Sequence, residues 1–260
     1  MKIVTLVKYV PDATGDREFA DDNTVDRDAA DGLLSELDEY AVEQALQIKE
    51  AGDDVEVVAL TLGPDDASDA IKKALQMGAD AGVHVCDDDA HGSDAMVSSK
   101  ILAAAIEKIG PDLVIAGMAS TDGSMGVVPA MLAERLGWNQ ITMGNEISCD
   151  GSTVRIRRES DTESQSIETE LPAVASVTDQ SGEARYPSMK NIMAAKKKKV
   201  DEWDLDDLDL DGDDAGLDAS YTQVSDTTER PPKEAGRVVV DEDGSGATEL
   251  VEFLSAGKYL

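Results

Sequence analysis

LPAVASVTDQSGEARYPSMKNIMAAKKKKV, residues 171–200, runs through three unlike elements in quick succession. An apolar, β-branched run reads as a short strand, a polar turn follows, and a short helix-like patch ends in four consecutive lysines, Lys196 to Lys199. The chain carries 55 Asp and Glu against 23 Lys and Arg, a formal charge of −32, so these lysines are its dense cationic spot. A basic run by itself is ordinarily a solvated face, and its meaning has to come from the elements around it.

Working outward, apolar runs alternate with stretches of helical period. This is the pattern of an α/β fold built on an open, mainly parallel twisted sheet flanked by helices. Residues 2–10 read as a first strand and residues 38–51 as a helix, with Ala41, Ala45 and Ile48 on one face. Residues 55–62 form a second strand ended by Gly63-Pro64; residues 65–77 form the next helix, with Gly78 placed to close it. A short third strand at 83–86 and a helix at 93–109 precede a fourth strand at 111–117, continuous in apolar residues as a strand buried on both faces should be. Residues 127–136 give another helix, stopped by Gly137. The rhythm then changes: residues 145–156, 164–171 and 173–178 read as short antiparallel strands added to the main sheet.

From Asp201 the composition shifts to WDLDDLDLDGDDAG, too charged to build a core by itself. The expected organisation is an α/β domain over residues 1–200 and an extended acidic C-terminal arm over 201–260 that packs on a partner subunit. PPKEAGRVVV, residues 231–240, recovers strand character and favours an arm over disorder.

Hydrophobic residues make up 41% of the 260 but aromatics only 3%, so one main core must rest on Ala, Val, Ile, Leu and Met. Acidic surfaces stay soluble in concentrated salt, where self-repulsion is screened, and the excess is that expected of a halophile. It speaks against nucleic acid, whose phosphates need Lys and Arg. Cys86, Cys149, His84 and His91 have neither a disulfide framework nor zinc-ligand spacing. No apolar run reaches the ~18 residues of a membrane span, and MKIVTLVKYV lacks signal-peptide architecture, so a cytoplasmic protein is expected. No catalytic constellation stands out, and redox chemistry would have to come from a bound cofactor.

The strongest local ligand signal is the loop ASTDGSMG, residues 119–126, leading from the fourth strand into a helix. In open α/β sheets ligands bind beyond the carboxyl ends of the strands. Glycines let the backbone approach, and the first amides of the helix offer free donors to phosphate. Asp12 after the first strand and Gly63-Pro64 after the second lie at the same predicted edge.

The order LPAV, polar loop, RYPS, NIM and AKKKK closely resembles the signature of the electron transfer flavoprotein β subunit family. VKYVPD at 7–12, LDEYAVEQAL at 37–46, GPDDASDAIKKALQMGAD at 63–80, TDGSMGVVPAMLAERLG at 121–137 and PPKEAG at 231–236 extend the similarity. The resemblance implies an electron carrier of halophilic, archaeal type, not an enzyme. It would be the smaller subunit of a heterodimer that passes electrons from flavin dehydrogenases, such as acyl-CoA dehydrogenases, to a membrane quinone reductase. The redox FAD would be held mainly by the electron transfer flavoprotein α subunit. This subunit would hold AMP, or a second FAD in an electron-bifurcating complex that oxidises NADH. A stand-alone nucleotide-binding module is the reading from another class.

By position, the resemblance puts the nucleotide pocket at Leu6, Ser35, Glu36, Leu37, Asp38, Leu62, Gly123, Ser124, Met125, Gly126, Val127 and Val128. Where many members carry Asn-Pro before the first helix this chain has Ser35-Glu36, and where the loop usually supplies Thr and Gln it has Met125 and Val127. Residues 183–195 match the loop that docks on dehydrogenases, implying contact roles for Arg185, Tyr186, Met189, Ile192, Met193 and Lys196. Met189 replaces the usual anchor leucine, and a thioether side chain fills a similar pocket.

Overall fold

The computed structural model describes residues 1–260 apart from 16, 229–230, 232–235, 237 and 242–243. They fall into two compact units, Met1–Ser225 and Asp226–Leu260. In the first, β1 (Lys2–Leu6), β2 (Tyr9–Pro11), β3 (Glu18–Phe19), β4 (Val25–Asp26) and β5 (Gly32–Leu34) lead into α1 (Glu36–Ala51). Next come β6 (Glu56–Leu62), α2 (Ser68–Met77), β7 (Ala81–Val85), α3 (Ala95–Ile109), β8 (Leu113–Gly117) and α4 (Val128–Leu136). β9 (Asn139–Gly144), β10 (Glu146–Cys149), β11 (Thr153–Glu159), β12 (Ser164–Glu170) and β13 (Ala173–Val177) follow, then α5 (Met189–Ala195), β14 (Val200–Trp203) and α6 (Gly216–Ala219).

Seven strands form one parallel sheet in the order β14-β7-β6-β1-β8-β13-β9. Strand alternation sends neighbouring side chains to opposite faces. Along β1, Ile3 joins a cluster with Ala41, Ala45 and Leu46 of α1 and Ile71 of α2, while Val4 joins Ile101 and Ile106 of α3 and Leu132 of α4. Each large aliphatic side chain fully buried there contributes roughly 1.5–3 kcal/mol. Both faces are covered, which is why β8 is buried along its whole length.

Three readings of the chain need correction. The run at 2–10 is two strands. After Val7 donates its N–H to Leu60 O, the Lys8 N–H turns to the Asp38 carboxylate, and β2 pairs antiparallel with β5 in a separate sheet. Residues 173–178 do not join an antiparallel set: β13 lies inside the parallel sheet, between β8 and β9. β10, β11 and β12 are antiparallel but form their own sheet, and the alternation of β11 buries Val154 and Ile156 against the cluster of α1.

The third correction concerns the arm. Residues 201–225 belong to the first unit. β14 adds to the sheet beside β7, Lys108 Nζ lies 4.4 Å over the Trp203 ring, and Leu205, Leu208 and Ala215 are buried in the cluster of α3 and α4. Widely spaced apolar residues suffice because they complete a core that the sheet already provides. In the second unit α7 (Gly246–Ala256) leaves Leu250, Val251 and Phe253 more than half exposed. Half of the strand reading at 231–240 lies outside the described residues; Val238, Val239 and Val240 are in no strand. Among the described residues no helix is long and apolar enough to cross a membrane.

Candidate functional site

The chain leaves β1 for β6 and β7 on one side and returns to β8 on the other, so the topological switch point lies between β1 and β8. Ligands of open α/β sheets bind beyond the strand ends at such a point. Residues 7–8, 63–64 and 118–127 surround it, as do the first residues of α1. His84, almost fully buried, fixes one rim loop through Nε2, which lies 3.1 Å from both Gly63 O and Pro64 O.

Asp38 fills the crevice. Its Oδ2 accepts the Lys8 N–H at 2.9 Å. A Cβ on Gly117 would stand 2.6 Å from Asp38 Oδ1 and 2.7 Å from Leu37 O, so only glycine at the end of β8 lets the start of α1 come so close. Burial pushes the Asp38 carboxyl up to about 7, against the N–H groups of Lys8 and Gly117 and the Lys8 charge; the Asp122 charge adds to the push.

Asp122 has the opposite balance. Burial raises it, but the Lys8 charge and donors from Ser120, Lys8 and Gly123 more than offset this and hold the carboxyl well below the usual range. Lys8 Nζ lies 2.9 Å and Arg27 Nη2 3.3 Å from the two oxygens of this carboxylate. Arg17 Nη1 donates to Thr121 O at 3.0 Å. Three cationic groups therefore converge on one loop of a strongly acidic chain. They were not singled out from sequence: where carboxylates are everywhere, no pairing with a given lysine or arginine stands out.

From Gly123 to Val128 the loop turns into α4 through two left-handed residues, Ser124 at φ 55° and Gly126 at φ 67°. Such turns aim successive N–H groups into one concavity, a nest for anions. Among the described residues the amides of Met125, Gly126, Val127 and Val128 have no hydrogen-bond acceptor, and Pro129 follows where no donor is needed. A Cβ on Gly126 would meet Met118 O at 3.2 Å. Across the crevice Ser35, at the N-cap of α1, is buried with its hydroxyl unpaired. Leu6 and Leu62 close the ends of β1 and β6, Leu37 is partly buried, and Glu36 points to solvent. The side chains of Met125 and Val127 supply no polar contact; the backbone does. Free amides and nearby cations fit the phosphate of a nucleotide.

The second group of predicted residues lies apart, on α5 and the segment before it. Ser188 caps α5 by accepting the Asn191 N–H, and Asn191 Nδ2 donates to Met77 O of α2 at 3.2 Å. With that face tied down, Met189 and Met193, 75% and 58% exposed, project outward beside Tyr186, which is 93% exposed. Ile192 is partly buried and Lys196 is exposed. Arg185 is not part of this surface: it turns inward onto Glu43 and Glu50 of α1. Lys198 also turns inward, donating to Leu75 O and Ala79 O at the end of α2, where burial lowers its pKa. Part of the lysine run is thus a helix cap.

A family model described as electron transfer flavoprotein domain matches residues 22–208. The chain is similar to the electron transfer flavoprotein subunit beta of Mycobacterium bovis, 46% identical over 99% of both chains. It is also similar to the proteins of that description from Bacillus subtilis, 33% identical over 98% of this chain and 97% of the relative, and Clostridium acetobutylicum, 31% identical over the full length of both.

Proposed function

The chain belongs to the electron transfer flavoprotein β subunit family, and from that premise we propose that it carries an AMP beyond the carboxyl ends of β1 and β8. Membership makes it part of an electron carrier, not an enzyme, with an α subunit as partner and flavin in the assembly. In the proposed reading the α subunit mainly holds the redox FAD, which supplies the electron-carrying chemistry when bound. The residues of this chain bind, shape and present. Met125 to Val128 offer amides to the phosphate, and Lys8, Arg17 and Arg27 supply positive potential. Tyr186, Met189 and Met193 form the apolar surface for flavin dehydrogenases of the acyl-CoA dehydrogenase type, with a quinone reductase as acceptor. Residues 226–260 form the arm that packs on the α subunit.

The observation that carries this reading is the run of unpaired amides from Met125 to Val128 beside the switch point. Its test is the nucleotide content of the purified heterodimer. One FAD and one AMP per dimer support it. Two FAD and no AMP would replace it with the electron-bifurcating, NADH-oxidising alternative, and no second nucleotide at all would overturn the pocket.

A further inference from the structure

We propose that Arg185 is a positioning residue that latches the docking segment to α1, and not a group that touches the dehydrogenase; this rests on the docking role proposed above. Its guanidinium makes four hydrogen bonds within the chain. Nε donates to Glu43 Oε2 at 2.7 Å and Nη2 to Glu43 Oε1 at 3.0 Å, while Nη1 and Nη2 donate to the two oxygens of Glu50. The backbone N–H of Arg185 also donates to Glu43 Oε2, at 3.1 Å. One buried carboxylate therefore holds both the main chain and the side chain of the same residue. Gln47 Nε2 completes the Glu43 carboxylate at 3.0 Å, and Gln44 Nε2 holds Ser181 O at 2.7 Å, so one face of α1 grips residues 181–185.

The next tie is Asn191 Nδ2 on Met77 O of α2. Between these fixed points the chain from Tyr186 to Lys190 stands free of the core, and it carries the exposed Tyr186 and Met189. A segment suspended at both ends loses little entropy when a partner binds; one released at one end must be ordered at the cost of affinity. Because Glu43 is only 5% exposed, removing Arg185 also leaves a buried charge uncompensated. Lysine supplies charge but not the planar fork that spans two carboxylates.

The test compares Arg185→Ala, Arg185→Lys and the double variant Glu43→Gln/Glu50→Gln in the heterodimer. Each is titrated as electron acceptor for a reduced acyl-CoA dehydrogenase, and tryptic cleavage after Lys190 is timed in the absence of dehydrogenase. Arg185→Ala and the double glutamine variant are both expected to raise KM for the carrier about tenfold at little changed kcat, and to speed cleavage by similar factors; Arg185→Lys falls between. A double variant with wild-type KM beside an impaired Arg185→Ala would mean that Arg185 meets the dehydrogenase directly, and the latch is wrong. Cleavage unchanged in every variant would also overturn it. Faster cleavage with no change in KM would keep the latch and overturn the docking role. If Arg185→Ala does not fold, the volume-conserving glutamine variant answers by itself.

Discussion

Asp38 and Lys8 are joined through the wrong atoms for an ion pair: the buried Asp38 carboxylate takes the backbone N–H of Lys8 at 2.9 Å, while the Lys8 ammonium lies 2.9 Å from Asp122 instead. Two carboxylates thus share one lysine unequally. Asp122 takes the ammonium directly and stays ionised, whereas burial pushes Asp38 up to about 7 despite the N–H groups and the more distant charge of Lys8. The division keeps the crevice from becoming a double negative charge beside the loop proposed to hold phosphate.

A pH dependence follows with a definite sign. A carboxyl whose folded value lies near 7, against 3.8 in the unfolded chain, binds more protons when folded. Its stabilisation is complete below about pH 4 and is lost as pH rises through 7. Asp38→Asn removes this slope, so wild type should lose stability relative to the variant between pH 5 and pH 8, on the order of a few kcal/mol. Urea melts of both proteins at four pH values and constant salt would read it; parallel curves would mean that Asp38 does not titrate in this window.

The nucleotide loop depends on Gly126 having no side chain. Valine there must adopt a left-handed backbone, with its Cβ 3.2 Å from Met118 O, and strain of this kind costs on the order of 1–3 kcal/mol. Gly126→Val is expected to lower extracted nucleotide by at least tenfold while leaving tryptic cleavage after Lys190 at its wild-type rate. Undiminished nucleotide would move the pocket elsewhere.

Much of this architecture was legible because local signals and the final environment agree. The all-apolar run ending in Gly117 is a strand buried on both faces, and Ala41, Ala45 and Ile48 do face the sheet from α1. What escaped notice depends on long-range partners. β13 reads like its antiparallel neighbours, yet it pairs in the sheet plane with β8 and β9 and its side chains are buried on both faces, Ala173, Ala175 and Val177 in the cluster of α1 and Val174 in that of α3 and α4. Lys198 looks like Lys196 and Lys197 until the end of α2 is placed beneath it. Leu205, Leu208 and Ala215 are too sparse to announce a core, but the exposed edge and α3 face of the sheet need no more. In the candidate site, Asp38 and the amides of the Gly123 loop were expected, whereas Lys8, Arg17 and Arg27 were hidden by the surplus of possible carboxylate partners.

The arm can be tested by its length. Residues 200–225 are integral to the first unit, so deletion from Asp226 should leave the cooperative unfolding of that unit in place. Association should suffer instead, since α7 leaves Leu250, Val251 and Phe253 exposed. Coexpressed with the α subunit, the shortened chain is expected to dissociate at least tenfold more readily in sedimentation at constant salt. Unchanged association would deny the arm its proposed partner; loss of the unfolding transition would show that the first unit needs residues beyond 225.

Docking is the most function-specific claim, and Met189 is its centre. With 75% of its surface open and its helix capped by Ser188, Met189 has nothing of its own chain to fill and is free to enter a pocket on a dehydrogenase. Truncating an anchor of this kind costs on the order of 2 kcal/mol or more, and about 1.4 kcal/mol is tenfold in affinity. Met189→Ala should therefore slow electron transfer from a reduced acyl-CoA dehydrogenase tenfold or more at sub-saturating carrier. Reduction by dithionite should keep its rate, because Met189 lies on α5, tied to the end of α2, and not in the loop of residues 123–128 proposed to hold nucleotide. The two assays separate the causes. Equal loss in both would indicate a folding defect, loss with the dehydrogenase alone supports the anchor, and no loss in either would return the role to Tyr186 or Met193, the other exposed side chains of the patch.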